Sequence, residues 1–227
     1  MCAATFGSGR WGLPTADLDG EVSGTGGTWL CSKKGWITRL LNHPPCGADL
    51  YVEDEAELSL FPTLTRMWML RGQQRKIRAP GVRPPKRQEY GAVDWRTGDL
   101  VRTRAASRNS EGFCRLVEKC MARSAARKRK VVMIVDGANF HRPEKSRLVR
   151  QLCERYGRRL KLVYIPKYSP ECMPMELFWN DWRDNVTHNH DRTALDELTG
   201  DSDRYMRRRE RNPQAVLQTL GSPFAAR

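Results

Sequence analysis

Acidic side chains are in short supply: 26 Asp and Glu stand against 40 Lys and Arg, for a formal net charge of +14. So large an imbalance argues against a basic partner and for a polyanionic one, of which nucleic acid is the commonest. No uninterrupted apolar run reaches the ~18 residues of a membrane span, and the amino terminus lacks the basic, apolar and cleavage regions of a signal peptide. The seven cysteines (Cys2, Cys31, Cys46, Cys114, Cys120, Cys153, Cys172) include no CxxC pair and lie beside only four histidines. That excludes a disulfide framework and a structural zinc site of ordinary spacing, and predicts reduced thiols in a cytoplasmic, DNA-associated protein. Residues 1–47 have little hydrophobic periodicity and seven glycines within the first 27 positions, so they are expected to be poorly ordered apart from a helical turn or two at Trp36–Asn42.

What is present is concentrated around Val131–His141. Five apolar residues, Val131 to Val135, run into Asp136. A run apolar on both alternating faces suits a strand covered on both sides, and its polar stop would sit at the carboxyl end, where open α/β sheets place their ligands. Asp49–Asp54 is a shorter strand candidate that also closes on an acid, and Gln88–Trp95 with Asp99–Thr103 reads as a strand pair around a turn. Between them, residues 66–87 carry eight basic side chains and no acid, and Pro80, Pro84, Pro85, Gly72 and Gly81 make the stretch extended or hairpin-like.

Ser110 is placed to cap a helix whose stripe is Phe113, Leu116, Val117, Cys120 and Met121. Pro143 is expected to open a second helix carrying Leu148, Leu152 and Tyr156, and Leu160–Ile165 to form another strand. A third helix from Pro174 has Met175, Phe178, Trp179, Trp182 and Val186 on its apolar side. The expected organisation is a core over 48–190 and a basic tail over 191–227 with a short helix near Gln214–Leu220. Strands first, then alternating helices and strands, predict an α/β fold with a mixed sheet, antiparallel at the start and parallel at the finish, flanked by helices.

Three acids fall at element ends: Asp54, Asp136 and Glu176. Neighbouring strands lie about 4.8 Å apart, so acids at adjacent strand ends converge, and a helix N-terminus can bring a third over them. Carboxylates held together repel unless cations neutralise them, the arrangement of a two-metal phosphoryl-transfer site. Strand alternation turns Glu53 and Glu55 away from Asp54, which favours Asp54 of that trio. Taken singly, each acid has a plainer account; Glu176 suits the first turn of any helix.

The motifs add a resemblance. Tyr-Val-Glu-Asp-Glu (51–55), Leu-Phe-Pro-Thr-Leu (60–64) and Trp-Met-Leu-Arg-Gly-Gln (68–73) resemble the first catalytic block of mariner-superfamily DDE transposases, and most of all those of bacterial insertion-sequence family 630. Val-Asp-Gly-Ala-Asn-Phe-His (135–141) resembles the second block, and Tyr164 to Glu176 with Trp179 the third. The resemblance implies an RNase H-like fold in which Asp54, Asp136 and Glu176 are catalytic and hold two magnesium or manganese ions, with His141 and Tyr168 in support. It implies DNA strand cleavage and transfer, with transposon ends and target DNA as partners; it is compatible with a homodimer and requires no membrane. Arg71, Arg75, Lys76, Arg78, Lys86 and Arg87 would then contact DNA phosphates.

The chain departs from the family pattern in three places. The family's helix-turn-helix has no counterpart in 1–47, Met173 stands where Asn is usual, and Gly137 where Asn usually follows the second Asp. Met cannot cap the helix that carries Glu176, and Gly137 is expected to loosen the backbone beside Asp136. These changes predict a truncated or impaired copy; the alternative is a basic remnant that binds DNA without chemistry. A different RNase H-like nuclease, such as a resolvase, fits the third block less well.

Overall fold

A computed structural model describes residues 26–78, 84–166, 169 and 172–226. Five strands, β1 (Ala48–Ser59), β2 (Lys86–Asp94), β3 (Leu100–Ala105), β4 (Lys130–Val135) and β5 (Leu160–Tyr164), form one sheet in the order β3-β2-β1-β4-β5. β1, β2 and β3 pair antiparallel, whereas β1, β4 and β5 pair parallel, the mixed sheet expected from the element order. Six α-helices accompany it among the described residues: α1 (Gly26–Asn42), α2 (Ser110–Ala126), α3 (Arg147–Tyr156), α4 (Met175–Val186), α5 (Leu195–Glu210) and α6 (Pro213–Thr219).

The alternating strand residues face two separate cores. Leu50, Val52, Ala56, Leu58 and Ile134 join Phe178, Trp179 and Trp182 of α4, Leu198 and Met206 of α5, and Val216 of α6. Tyr51, Met133 and Val135 join Phe113, Leu116, Val117 and Met121 of α2 with Val149 and Leu152 of α3. Each large apolar side chain so buried contributes about 1.5–3 kcal/mol. β4, apolar on both sides, is buried throughout Val131–Val135 because helices cover both faces.

Several boundaries differ from the expectation. Asn109, not Ser110, caps α2: its side chain accepts from the Gly112 amide, while the Ser110 hydroxyl donates to Phe140 O. α3 begins at Arg147 behind Ser146, four residues after Pro143, and it buries Val149 rather than Leu148, which is half exposed. β1 runs five residues past Asp54 because β2 pairs with it as far as Ser59. α1 is 17 residues long, with Ile37 and Leu40 in the core, so 26–42 is a helix and not a poorly ordered stretch; residues 1–25 lie outside the described residues. The 191–227 segment is not a tail either, since α5 and α6 bury Leu195, Leu198, Met206, Val216 and Leu217. After α2, Arg127 pairs with Asp49, Asp94 and Asp99 and Arg129 with Asp49, tying α2 to the ends of β1 and β2.

A polar network joins the sheet to α4 and α5. Arg104 on β3 reaches the buried Glu89 at 2.5 Å and Asp203 at 3.0 Å, and Arg102 reaches Asp203 and Glu210. Ser202 donates to Glu89 and accepts from the Trp182 indole. β3 is an edge strand, and its carbonyls are met by α2: Lys119 Nζ donates to Arg102 O and Arg123 Nη1 to Leu100 O, each at 2.9 Å.

Candidate active site

β1 and β4 run side by side, and their ladder ends at Val52 beside Ile134. Two further steps along parallel strands carry Asp54 to the flank of Asp136, one residue past β4. Asp54 points to the face covered by α4. Opposite it on β2 is Gly91, where a Cβ would lie 3.0 Å from Trp179 Cζ2 and 3.2 Å from Met175 Cε. The missing side chain lets α4 settle onto the sheet here, so Glu176, exposed in the first turn of α4, comes to the same face as Asp54.

Asp136 is held from the other face. Its Oδ1 accepts from the Ala138 amide at 2.9 Å and lies 2.6 Å from His141 Nδ1. His141, in the 3₁₀ turn Asn139–His141, is fully buried against the rings of Phe113 and Phe140, and its Nε2 lies 2.7 Å from Glu55 Oε1. Tyr164 donates its hydroxyl to His141 O at 2.9 Å, fixing the turn to the end of β5. No hydrogen bond reaches Asp136 Oδ2 among the described residues, and the side chain is partly exposed.

The electrostatics follow from burial and crowding. Burial, then the charges of Glu55 and Asp136, push the Asp54 carboxyl up to about 7, against a backbone hydrogen bond that lowers it. Burial also raises Asp136, but the His141 and Ala138 hydrogen bonds and the Arg108 charge outweigh it and the net direction is down. Burial would lower His141; the Glu53 charge and the hydrogen bonds to Asp136 and Glu55 reverse that and raise it to about 10. Glu53, fully buried, is pushed well up by burial and by the Glu55 charge. Carboxylates gathered at this density suit hard divalent cations, so the donor set fits the ions expected at this site. Asp54, Asp136 and Glu176 are nevertheless not drawn together as closely as another trio: among the described residues, the ligand atoms of Glu53, Glu55 and His141 all lie within 4.8 Å of one another.

The two expected weak points behave differently. α4 starts after Pro174 without a side-chain cap, and Met173 is buried in the core instead. Beside Asp136 the backbone is braced: Arg142 Nε donates to Gly137 O at 3.0 Å, and its guanidinium lies over the Tyr164 ring. Gly137 thus leaves room for Arg142, not slack. Tyr168 lies outside the described residues.

Arg71, Arg75, Lys76 and Arg78 are exposed along the connection from β1 to β2, and Lys86 and Arg87 are exposed at the start of β2. The described part of this connection, 60–78, holds no helix, in keeping with an extended or hairpin-like stretch, and its start is pinned by a bridge from Thr63 to His188 and by Asn189, which bonds Thr65. Arg75 pairs with Asp191 and Lys86 with Glu57; both pairs are largely solvated. The sequence reading missed Glu55 as a partner of His141. Its signal was the alternation along β1, which places Glu53, Glu55 and the α2 core on one side.

A mixed five-stranded sheet with helices on both faces, and acids where its two central parallel strands meet, defines an RNase H-like catalytic core. The chain belongs to the DDE superfamily endonucleases, whose family profile matches residues 49–199. Over 158 residues it is 28% identical to the insertion element IS630 uncharacterized 39 kDa protein of Shigella sonnei, covering 67% of this chain and 43% of that protein. The chain therefore spans less than half the length of that relative. Its fold is similar to that of the Mos1 mariner paired-end complex with Mn, with a TM-score of 0.57 at 13% identity over 89% of this chain and 63% of the other. The Mos1 paired-end complex with Mg gives a TM-score of 0.55 at 16% identity, over 96% and 65% of the two chains. No helix among the described residues is long and apolar enough to cross a membrane.

Proposed function

We propose that this chain is the catalytic domain of a DNA transposase that cleaves and joins strands with divalent metal ions. The observation that carries the reading is the juxtaposition of Asp54 on β1 and Asp136 after β4, in a chain whose residues 49–199 match the DDE endonuclease profile. Asp54, Asp136 and Glu176 hold the ions, two magnesium or manganese, and the solved relatives with Mn and Mg support that choice. When bound, such a pair activates the attacking oxygen and stabilises the leaving one. The chain's own residues supply position and charge. His141 fixes one oxygen of Asp136, and Trp179 and Met175 seat the helix that carries Glu176.

Transposon ends and target DNA are the proposed partners, in keeping with relatives solved as paired-end complexes. Arg71, Arg75, Lys76, Arg78, Lys86 and Arg87 hold the phosphate backbone, giving affinity without reading sequence. Tyr168, in the third motif, is proposed as a further supporting residue. The organisation proposed is a catalytic core from residue 48 onward, built to its end by α5 and α6.

The test is nicking of supercoiled DNA with Mg²⁺ or Mn²⁺, comparing the native chain with Asp136→Asn. Loss of nicking in the variant, with DNA binding retained, is expected. Equal nicking by both proteins removes the proposed site, and no nicking by either leaves only a basic DNA-binding domain.

A further inference from the structure

The sheet has a second cluster of ligating atoms, turned away from Asp54. Glu53 and Glu55 project from β1 to the α2 side, where His141 meets them. All three are fully or almost fully buried, and their ligand atoms lie within 4.8 Å of one another. His141 bridges Glu55 and Asp136, so an imidazolium could satisfy those two carboxylates. It offers Glu53 a nearby charge but no hydrogen bond among the described residues. Among the described residues, both Glu53 oxygens are buried without a hydrogen-bond partner, and so is Glu55 Oε2, which Arg108 Nε approaches at 3.9 Å. A buried carboxylate with no donor on either oxygen is rare in folded proteins, and a bound ion is one of the few arrangements that accounts for it.

We propose that Glu53, Glu55 and His141 form a separate metal position for one dehydrated divalent cation of the zinc type. Three protein ligands, one an imidazole nitrogen and two carboxylate oxygens, are a usual zinc set, at about 2.0–2.2 Å from the ion. In a tetrahedral site, ligands at that radius stand about 3.3–3.6 Å apart, so a spacing as wide as 4.8 Å closes by about an ångström and the 2.7 Å His141–Glu55 pair opens by about half that. Magnesium is a poorer fit, because it keeps several waters and a fully buried trio leaves them no place. The fourth neighbour is already in line: Asp136 on His141 Nδ1 makes the carboxylate–histidine–metal sequence that fixes a ligating imidazole. The cation would therefore sit one imidazole ring away from the proposed catalytic aspartate and set its orientation from behind the sheet. This goes beyond the transposase reading and does not require it.

The test is a zinc titration of the full chain after EDTA treatment and desalting, in saturating Mg²⁺, read by competition with a chromophoric chelator and by thermal unfolding. The native chain and Asp54→Asn/Glu176→Gln, which strips the opposite face, should each bind one equivalent and melt higher with zinc. Glu53→Gln should bind at least ten times more weakly, a loss that removal of even an outer partner of a metal site brings (roughly 10–100-fold). If Glu53→Gln does not fold, Glu55→Gln carries the same expectation. The proposal is overturned if the native chain binds no equivalent, if the Asp54/Glu176 double variant loses it, or if Glu53→Gln binds as the native chain does. The nicking assay reads the other face, so failure there leaves this result standing, and the reverse.

Discussion

Gly91→Ala is the smallest change that should disturb the active site from outside it. The new methyl would stand 3.0 Å from Trp179 Cζ2, 3.2 Å from Trp179 Cη2 and 3.2 Å from Met175 Cε, all tighter than an ordinary contact near 3.5–4.0 Å. Trp179 is fully buried and cannot swing aside, so α4 must lift by several tenths of an ångström. Overpacking of this kind costs about 1–3 kcal/mol, while Ala in a strand recovers about 0.5–1 kcal/mol relative to Gly. The expected net loss is therefore about 1 kcal/mol, read by urea unfolding. Nicking should fall further than stability does, at least tenfold, because the displaced helix carries Glu176 and misplacement by 1 Å can cost about a hundredfold. Trp179→Phe supplies the compensating change. The Trp179 indole N–H has no partner among the described residues, so Phe loses packing and no hydrogen bond there. In the double variant the methyl gains the vacated space, and the two losses should partly cancel in a double-mutant cycle. Gly91→Ala at native stability and native activity would refute the argument that this close approach seats α4.

Arg104→Ala should cost roughly 3 kcal/mol in the same unfolding assay, because it strands the buried Glu89 carboxylate with only Ser202 as donor; Glu89→Gln in that background should return part of it. Asp54 gives a pH dependence. Its folded value near 7 is above the ordinary 3.8, so in EDTA the folded chain loses stability as pH rises from 3.8 to 7 and no more beyond. Mn²⁺ must displace that proton, so its affinity, followed by electron paramagnetic resonance, should climb about tenfold per pH unit below 7 and level off above. Arg71→Ala/Lys76→Ala/Arg78→Ala should weaken binding to all DNA sequences alike and flatten the slope of log affinity against log salt by about 2–3; an unchanged slope would free the β1–β2 connection of any phosphate contact.

Much of the sheet is legible because β4 is an unbroken apolar run and β2 and β3 flank an obvious turn. The α2 and α4 stripes are equally plain, since Phe113, Leu116, Val117, Cys120 and Met121, and then Met175, Phe178, Trp179 and Trp182, all reach the core. What hides from the sequence is structure held by buried charge. β1 looks as though it stops at Asp54 because Glu53, Glu55 and Glu57 read as surface, yet two of them are buried against α2. α5 reads as a basic tail because Arg102 and Arg104, a hundred residues away, neutralise Asp203 and Glu210. Composition counts such residues as solvated, and only the pairing in space shows otherwise. The proposed site is half visible for the same reason: the motifs point to Asp54, Asp136 and Glu176, but the motifs do not say that Glu55 is what His141 leans on.

The open margin of the sheet at β3 is an invitation to other strands, and this protein closes it without adding one. Long cations from α2 occupy the outward carbonyls of Leu100 and Arg102, so an incoming chain would find its hydrogen-bond acceptors already taken and a row of positive charge in its path. Removing Lys119 and Arg123 together should leave the fold nearly as stable as before yet increase edge-to-edge association, read by light scattering. For so basic a chain, keeping self-association off the sheet margin is a safeguard in its own right.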